Sequence, residues 1–171
     1  MREKIRRYFL KAKEAKSLLE SASKKLKVNF EEIFGGKVNV EIAAAGSNEI
    51  FMVNGNPVLA RTGGEVFPTL NFREFIASAP RVVVDMGAVS HVCNGANVMA
   101  PGVVRIDGIF EKGDFVLIVD EKYGKPIAVG VTDYGVEEAR SIKRGVIVRN
   151  IHFVGDELWN LMKKLRLDLT T

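Results

Sequence analysis

Apolar residues in the first part of the chain recur three or four positions apart. Ile5, Phe9, Ala12, Ala15, Leu19, Ala22 and Leu26 fall on one stripe, which predicts a helix from Arg2 to Lys27. Ser21 and Ser23 mark a kink or a break in it. Asn29 is placed to cap a following turn, with Glu31 and Glu32 at its positive end and Gly35-Gly36 as its stop. The period then changes to two. Val38, Val40 and Ile42 alternate with Asn39 and Glu41, which predicts a half-buried strand, and Ile50 to Val53 forms the next. Asn54-Gly55 signals a tight hairpin, because both residues accept the positive φ of a type I′ turn. Pro57 to Arg61 returns, and Pro57, lacking an N–H, predicts a sheet edge there. A short helix follows around Phe72 to Ser78, and Ala79-Pro80 ends the first domain, since proline disfavours helix just before it.

Beyond that boundary the strands are short and closely spaced. Val82-Val83-Val84 reads as a buried strand closed by Asp85, with Gly87 at a turn. Ala88 to Cys93 is long enough for a short helix that Asn94-Gly95 stops. Ala96-Asn97-Val98-Met99-Ala100 is a small-residue passage, and Pro101-Gly102 turns into a strand at Val103 to Ile106. Phe115 to Val119 and Ile127 to Val131 are expected to form an antiparallel pair. A short helix spans Val136 to Lys143, and a last strand runs from Val146 to Val154 with a bulge at Arg149-Asn150. Such short strands between Gly and Pro turns predict a small closed or nearly closed barrel over residues 81–155. Asp156 caps a final helix whose apolar face, Leu158, Trp159, Leu161, Met162 and Leu165, is expected to cover the seam between the domains.

Charge changes this picture at one end only. The chain carries +4, but residues 1–27 hold ten Lys or Arg against three Glu, so the remainder is −3. A local basic segment suits a phosphate backbone, and a solvated helix face is the alternative. Composition is that of a soluble globular protein, with no membrane-length apolar run and no secretion signal, so a cytoplasmic location is expected. The absence of glutamine beside abundant Lys, Arg and Glu fits a thermophilic source.

Candidate chemistry is sparse. Cys93 is the one cysteine, which excludes an internal disulfide and a zinc site of paired thiolates. His91 and Cys93 lie two apart and point to different helix faces, so His91 is not placed to activate the thiol. His152 reads as a satisfied histidine of an apolar strand. No phosphate loop or dinucleotide fingerprint is present. No catalytic residue, metal or cofactor is expected.

The central stretch, D-x-G-A followed by G-A-N-V-M-x-P-G-V, resembles the PUA domain, an RNA-binding module, through Asp85, Gly87, Ala88, Gly95, Ala96, Met99, Pro101 and Gly102. Val53-Asn54-Gly55, Phe67-Pro68-Thr69-Leu70, and Asn150-Ile151-His152-Phe153 with Asp156, Leu158 and Trp159 extend the likeness over most of residues 18–162. Together they are similar to the malignant-T-cell-amplified-sequence family of translation proteins. That resemblance implies an α+β protein: an N-terminal α/β pre-PUA domain over residues 1–80, then a PUA β-pseudobarrel with two short helices over 81–155. Residues 156–171 would be a C-terminal helix and tail packing near the seam. It also implies work on the ribosome, in initiation, reinitiation or recycling, on tRNA or the small subunit and beside another translation factor.

By the same resemblance, the RNA surface falls on Gly87, Gly95, Ala96, Asn97, Met99 and Arg105. Lys143, Arg144 and Arg149 add charge near the barrel, and Arg6, Arg7, Lys11 and Lys13 add it on the N-terminal helix. Three readings stay open: a non-catalytic RNA-binding translation factor, an accessory subunit of a tRNA- or rRNA-modifying enzyme, and a protein-interaction module. RNA is the expected partner, with no membrane, and the protein is expected to be a monomer.

Overall fold

The structure is a computed structural model that describes residues 3–169, and all elements and counts are of those residues. Two compact units divide between Phe75 and Ile76.

The first unit begins with a strand, β1 (Arg6–Phe9), where the apolar spacing predicts helix. Helix α1 starts only at Ala12 and runs to Leu26, because Lys11 is still extended (φ −63°, ψ 148°). The physical reason is non-local. Residues 6–9 pair antiparallel with β2 (Val40–Ala45), Arg6 opposite Ala44 and Phe9 opposite Glu41. Arg7 Nε also donates to Glu41 Oε1 at 2.6 Å. Ile5 and Phe9 match the helical stripe by spacing alone, while Ala15, Leu19, Ala22 and Leu26 bury it. Ser21 and Ser23 lie inside an unbroken helix, and Lys27 ends it in the left-handed conformation, donating back to the Ser23 carbonyl.

Helix α2 (Phe30–Phe34) is capped by Asn29, whose side chain accepts from the Glu31 and Glu32 amides. After β2 come β3 (Asn48–Val53), β4 (Asn56–Thr62), β5 (Phe67–Pro68) and α3 (Arg73–Ser78). The sheet order is β1-β2-β3-β4-β5. Asn54 and Gly55 both take positive φ (49° and 82°) in the β3–β4 hairpin. Pro57 does not mark an edge, since β5 pairs with the outer side of β4. It sits where the β3–β4 register shifts, between Phe51 and Met52, a bulge being the other place a strand tolerates a missing donor.

The second unit opens with β6 (Arg81–Val84), α4 (Met86–Val92) and β7 (Val98–Met99), and a three-residue helical turn, Ala100–Gly102, leads to β8 (Val103–Asp107). Then follow β9 (Phe115–Asp120), β10 (Pro126–Thr132), α5 (Val136–Ser141), β11 (Val146–Phe153) and α6 (Glu157–Leu169). The strand order is β7-β11-β10-β9-β6-β8. Its two edge strands, β7 and β8, are joined by the turn Ala100–Gly102, so the sheet must curl until its edges approach. That curl makes the pseudobarrel, with the short helices α4 and α5, and it encloses a core including Val82, Val84, Val92, Val98, Phe110, Val116, Ile118 and Val148.

Gly87 lies in the first turn of α4, not in a turn of positive φ. The bulge of the last strand falls one residue later than expected. Val129 faces His152 and Gly130 faces Asn150, leaving Ile151 as the extra residue.

Asp156 ties β11 to α6. Its carboxylate accepts from the Trp159 amide (2.7 Å) and the Phe153 amide (3.0 Å), and lies 2.8 Å from His152 Nδ1. Burial pushes the Asp156 carboxyl up, but His152 and these amides outweigh it and hold it below the usual range. Leu158, Leu161, Met162 and Leu165 are buried at helical spacing, and α6 packs on β11 of its own unit. Trp159, expected to be buried, is only half-buried on the flank of that stripe, with Lys163 Nζ 5.7 Å from its ring. Of the expected tail, residues 170 and 171 lie outside the described residues.

Candidate nucleic-acid interface

The stretch from Asp85 to Gly102 folds back on itself. Asp85 Oδ1 caps α4 through the Ala88 amide (2.8 Å), and the Asp85 amide donates to the Gly102 carbonyl (3.0 Å). A Cβ on Gly102 would stand 3.1 Å from the Ala88 Cβ, so this glycine lets the turn pack on α4. Gly95 has φ +94°, and a Cβ there would meet the Phe153 ring at 3.3 Å. Both glycines are therefore committed to internal packing. Gly87, on the exposed first turn of α4, would crowd only Asp85 Oδ1.

Ala96, Asn97 and Met99 form an exposed strip along the loop and β7, with Met99 47% exposed. Asn150, a residue that motif reasoning used for family likeness and not for the site, holds this strip in place. Its Nδ2 donates to the carbonyls of Val92 (2.9 Å) and Ala96 (3.0 Å), while its own amide donates to Asn97 Oδ1 (2.9 Å). The Asn97 side chain is thus turned inward as a staple. Only the fold shows this, because residues 97 and 150 meet through the pairing of β7 with β11.

That same pairing brings charge to the strip. Met99 faces Val146, and the Ala100 amide donates to the Gly145 carbonyl (2.9 Å), so the exposed Lys143 and Arg144 stand just before the strand that pairs with β7. Neither cation makes an ion pair among the described residues. Arg149 is exposed but bound to Asp133 (2.9 Å). Arg105 lies across the turn on the other edge strand, paired to Asp107 of its own strand at 2.9 and 3.0 Å. That contact holds the Asp107 carboxyl below its usual range and the guanidinium above its own.

Arg6, Arg7, Lys11 and Lys13 belong to the first unit and are all exposed. Arg6 and Arg7 are on a strand and Lys11 precedes α1; Lys13 alone of the four is on the helix. Cys93 packs against the barrel core, and burial pushes its thiol up, away from a reactive thiolate. Among the described residues no group of three His, Cys, Asp or Glu could hold a metal, and no helix is long and apolar enough to cross a membrane.

A curled six-stranded sheet with a capped short helix after its first strand defines the class: residues 80–154 match the PUA domain, and residues 6–72 match a domain of unknown function, DUF1947. A protein of Methanocaldococcus jannaschii named only as uncharacterized is 40% identical over 91% of this chain and 96% of its own length. Translation machinery-associated protein 20 of Saccharomyces cerevisiae is 33% identical over 66% of each chain. Malignant T-cell-amplified sequence 1 of Rattus norvegicus is 30% identical over 66% of this chain and 65% of its own. Among solved structures, a PUA-domain protein of Aeropyrum pernix, crystallised with tartrate, superposes with a TM-score of 0.80 at 30% identity. It covers 95% of this chain and 93% of that one. A hypothetical protein of hyperthermophilic Pyrococcus horikoshii gives 0.75 at 33% identity, over 91% and 99%. The chain belongs to the malignant-T-cell-amplified-sequence family of PUA-domain translation proteins.

Proposed function

We propose that this protein is a non-catalytic RNA-binding factor of translation, a cytoplasmic monomer that acts on tRNA or the small ribosomal subunit during initiation, reinitiation or recycling. The observation that carries the reading is the strip Ala96-Asn97-Met99. Its side chains are small or unbranched and uncharged, its backbone is pinned by Asn150, and the unpaired cations Lys143 and Arg144 flank it. An uncharged, rigid strip beside free cations suits a backbone that is held by its phosphates and read by close approach. A helical end or a short unpaired tail fits such a strip better than a long single strand, which needs a row of exposed aromatic rings. The connection to translation is supported by the relatives named translation machinery-associated protein 20.

The domain limits that go with this reading are residues 1–80, 81–155 and 156–171. Phosphate positioning falls to Lys143 and Arg144, with Arg6, Lys11 and Lys13 as a second basic group. Arg7, Arg105 and Arg149 contribute less, because a carboxylate already holds each of them.

Titration of a labelled tRNA and an unstructured RNA at several salt concentrations tests this. Removing Lys143 or Arg144 should weaken both RNAs alike and flatten the log–log salt slope by roughly 0.7 to 0.9 per contact. Ala96→Leu should reduce discrimination between the RNAs and leave the slope nearly intact. Equal slope changes and equal losses for the two kinds of variant would refute the division. Failure to co-sediment with small subunits at low salt would remove the ribosomal part.

A further inference from the structure

The tip of the β9–β10 hairpin is Glu121-Lys122-Tyr123-Gly124-Lys125, and its tyrosine is 65% exposed. A single exposed aromatic residue is ordinary by itself. Three further observations set this one apart.

The turn is built from beneath. Asp120 is 4% exposed, and its carboxylate accepts from the Tyr123 amide (2.5 Å) and the Lys125 amide (3.1 Å). Its backbone closes the turn as well, accepting from the Gly124 amide and donating to the Lys125 carbonyl, both at 3.1 Å. The ring is therefore presented on a fixed base, which lowers the ordering cost of any contact it makes.

Cations surround the ring. Lys122 Nζ lies 5.1 Å and Lys125 Nζ 5.8 Å from its centroid. The neighbouring Glu121 makes no ion pair with either lysine among the described residues: its Oε1 accepts from the Met86 amide (3.3 Å), and its amide donates to the Val84 carbonyl (3.0 Å). Those same contacts fasten the hairpin tip beside the start of α4, the helix that leads into the Ala96-Asn97-Met99 strip.

We propose that Tyr123 is an RNA-contacting platform on which one unpaired base stacks, with Lys122 and Lys125 released onto the adjoining phosphates. The proposal rests on the RNA-binding reading above and adds a residue and a ligand feature to it. An aromatic ring beside two exposed ammonium groups matches both recognisable parts of a nucleotide, its π face and its negative charge. In the free protein the lysines lie near the ring by weak, exposed cation–π attraction. A base can displace them because each then gains a phosphate.

The test uses the full chain and two kinds of labelled RNA: a blunt hairpin, and the same stem with about four unpaired nucleotides at its 3′ or 5′ end. The wild type should prefer a tailed RNA. Tyr123→Ala should weaken the tailed RNA roughly tenfold and leave the blunt one nearly unchanged. Tyr123→Phe should keep the preference, and Tyr123→Leu, apolar but without a π face, should lose it. Lys122→Ala and Lys125→Ala should each flatten the salt slope on tailed RNA by about 0.7. If Tyr123→Ala matched the wild type on tailed RNA while Ala96→Leu weakened it, the platform would be refuted and the RNA-binding reading would stand. Equal binding by the Leu and Phe variants would also overturn stacking. A wild type that bound neither RNA would bring down both.

Discussion

Asn150 offers a direct test of how the candidate interface is held. Its Nδ2 supplies one hydrogen bond to Val92 O and one to Ala96 O, while its buried Oδ1 has no hydrogen-bond partner. In Asn150→Ala, two bonds worth about 1 kcal/mol each are lost. The loss is softened on both sides. Val92 O keeps its bond from the Gly95 amide (2.9 Å), and Ala96 is exposed, so water can reach its carbonyl. Deleting the orphan Oδ1 returns about 1 kcal/mol, leaving a net cost of about 1 kcal/mol. Asn150→Asp is the sharper change, because it sets a carboxylate oxygen against two carbonyl oxygens. It should cost about 2–4 kcal/mol at neutral pH. Urea denaturation of the three proteins measures both differences, provided the slope m is unchanged. Both variants should also discriminate RNAs less well, because the Ala96 carbonyl loses its side-chain tie to β11 and the strip keeps only the Asn150 amide bond to Asn97 and the β7–β11 pairing. If the Asp variant were as stable as the Ala variant, the donor role assigned to Nδ2 would be wrong.

The remaining predictions concern the C-terminal helix, the thiol and the first strand. Met162→Ala, at a fully buried position, should cost about 2–5 kcal/mol, and the half-buried Trp159→Ala clearly less; thermal unfolding ranks them. The Asp156 carboxyl is held below its usual value, so its contribution is complete above the unfolded carboxylate pKa of about 4 and is lost as pH falls through the lower folded value. The stability gap between wild type and Asp156→Asn should therefore narrow in acid, as urea titrations at several pH values would show. Cys93→Ala should retain RNA binding in the titration of labelled RNA, since burial disfavours the thiolate. Arg7→Ala should lower stability by about 0.5–1 kcal/mol and change the salt slope less than Arg6→Ala, because Arg7 is tied to Glu41.

What could be read along the chain is what depends on near neighbours. The Asn54-Gly55 turn needs two residues that accept positive φ, and the Asn29 and Asp156 caps need a short acceptor before a helix; all three are written in adjacent positions. The strand at Arg6–Phe9 is a different case. Its apolar spacing suits a helix, and the extended form wins only because β2, some thirty residues away, offers ladder partners and Glu41. Pro57 shows the same limit: a missing N–H restricts the strand, but edge and bulge satisfy it equally, and the choice is made by the β3–β4 register.

The candidate site follows the same rule, and the consequence is functional. The family resemblance put Gly95, Ala96, Asn97 and Met99 on one stretch, yet could not say which of their side chains are engaged internally. The fold uses Gly95 and Gly102 to admit Phe153 and Ala88, and engages the Asn97 Oδ1 with the Asn150 amide, so that of the three exposed residues of the strip Asn97 is the one whose side chain serves an internal hydrogen bond. Charge is sorted in the same way. Arg7, Arg105 and Arg149 have carboxylate partners, whereas Lys143 and Arg144 reach the strip unpaired through a strand pairing that joins residues about fifty apart. A net charge counts all of these cations equally, but a phosphate does not: a guanidinium already held by a carboxylate must give up that contact first. On the proposed reading, the cations open to a phosphate are thus a subset that tertiary structure selects, and Lys143 and Arg144 are the ones it sets beside the strip.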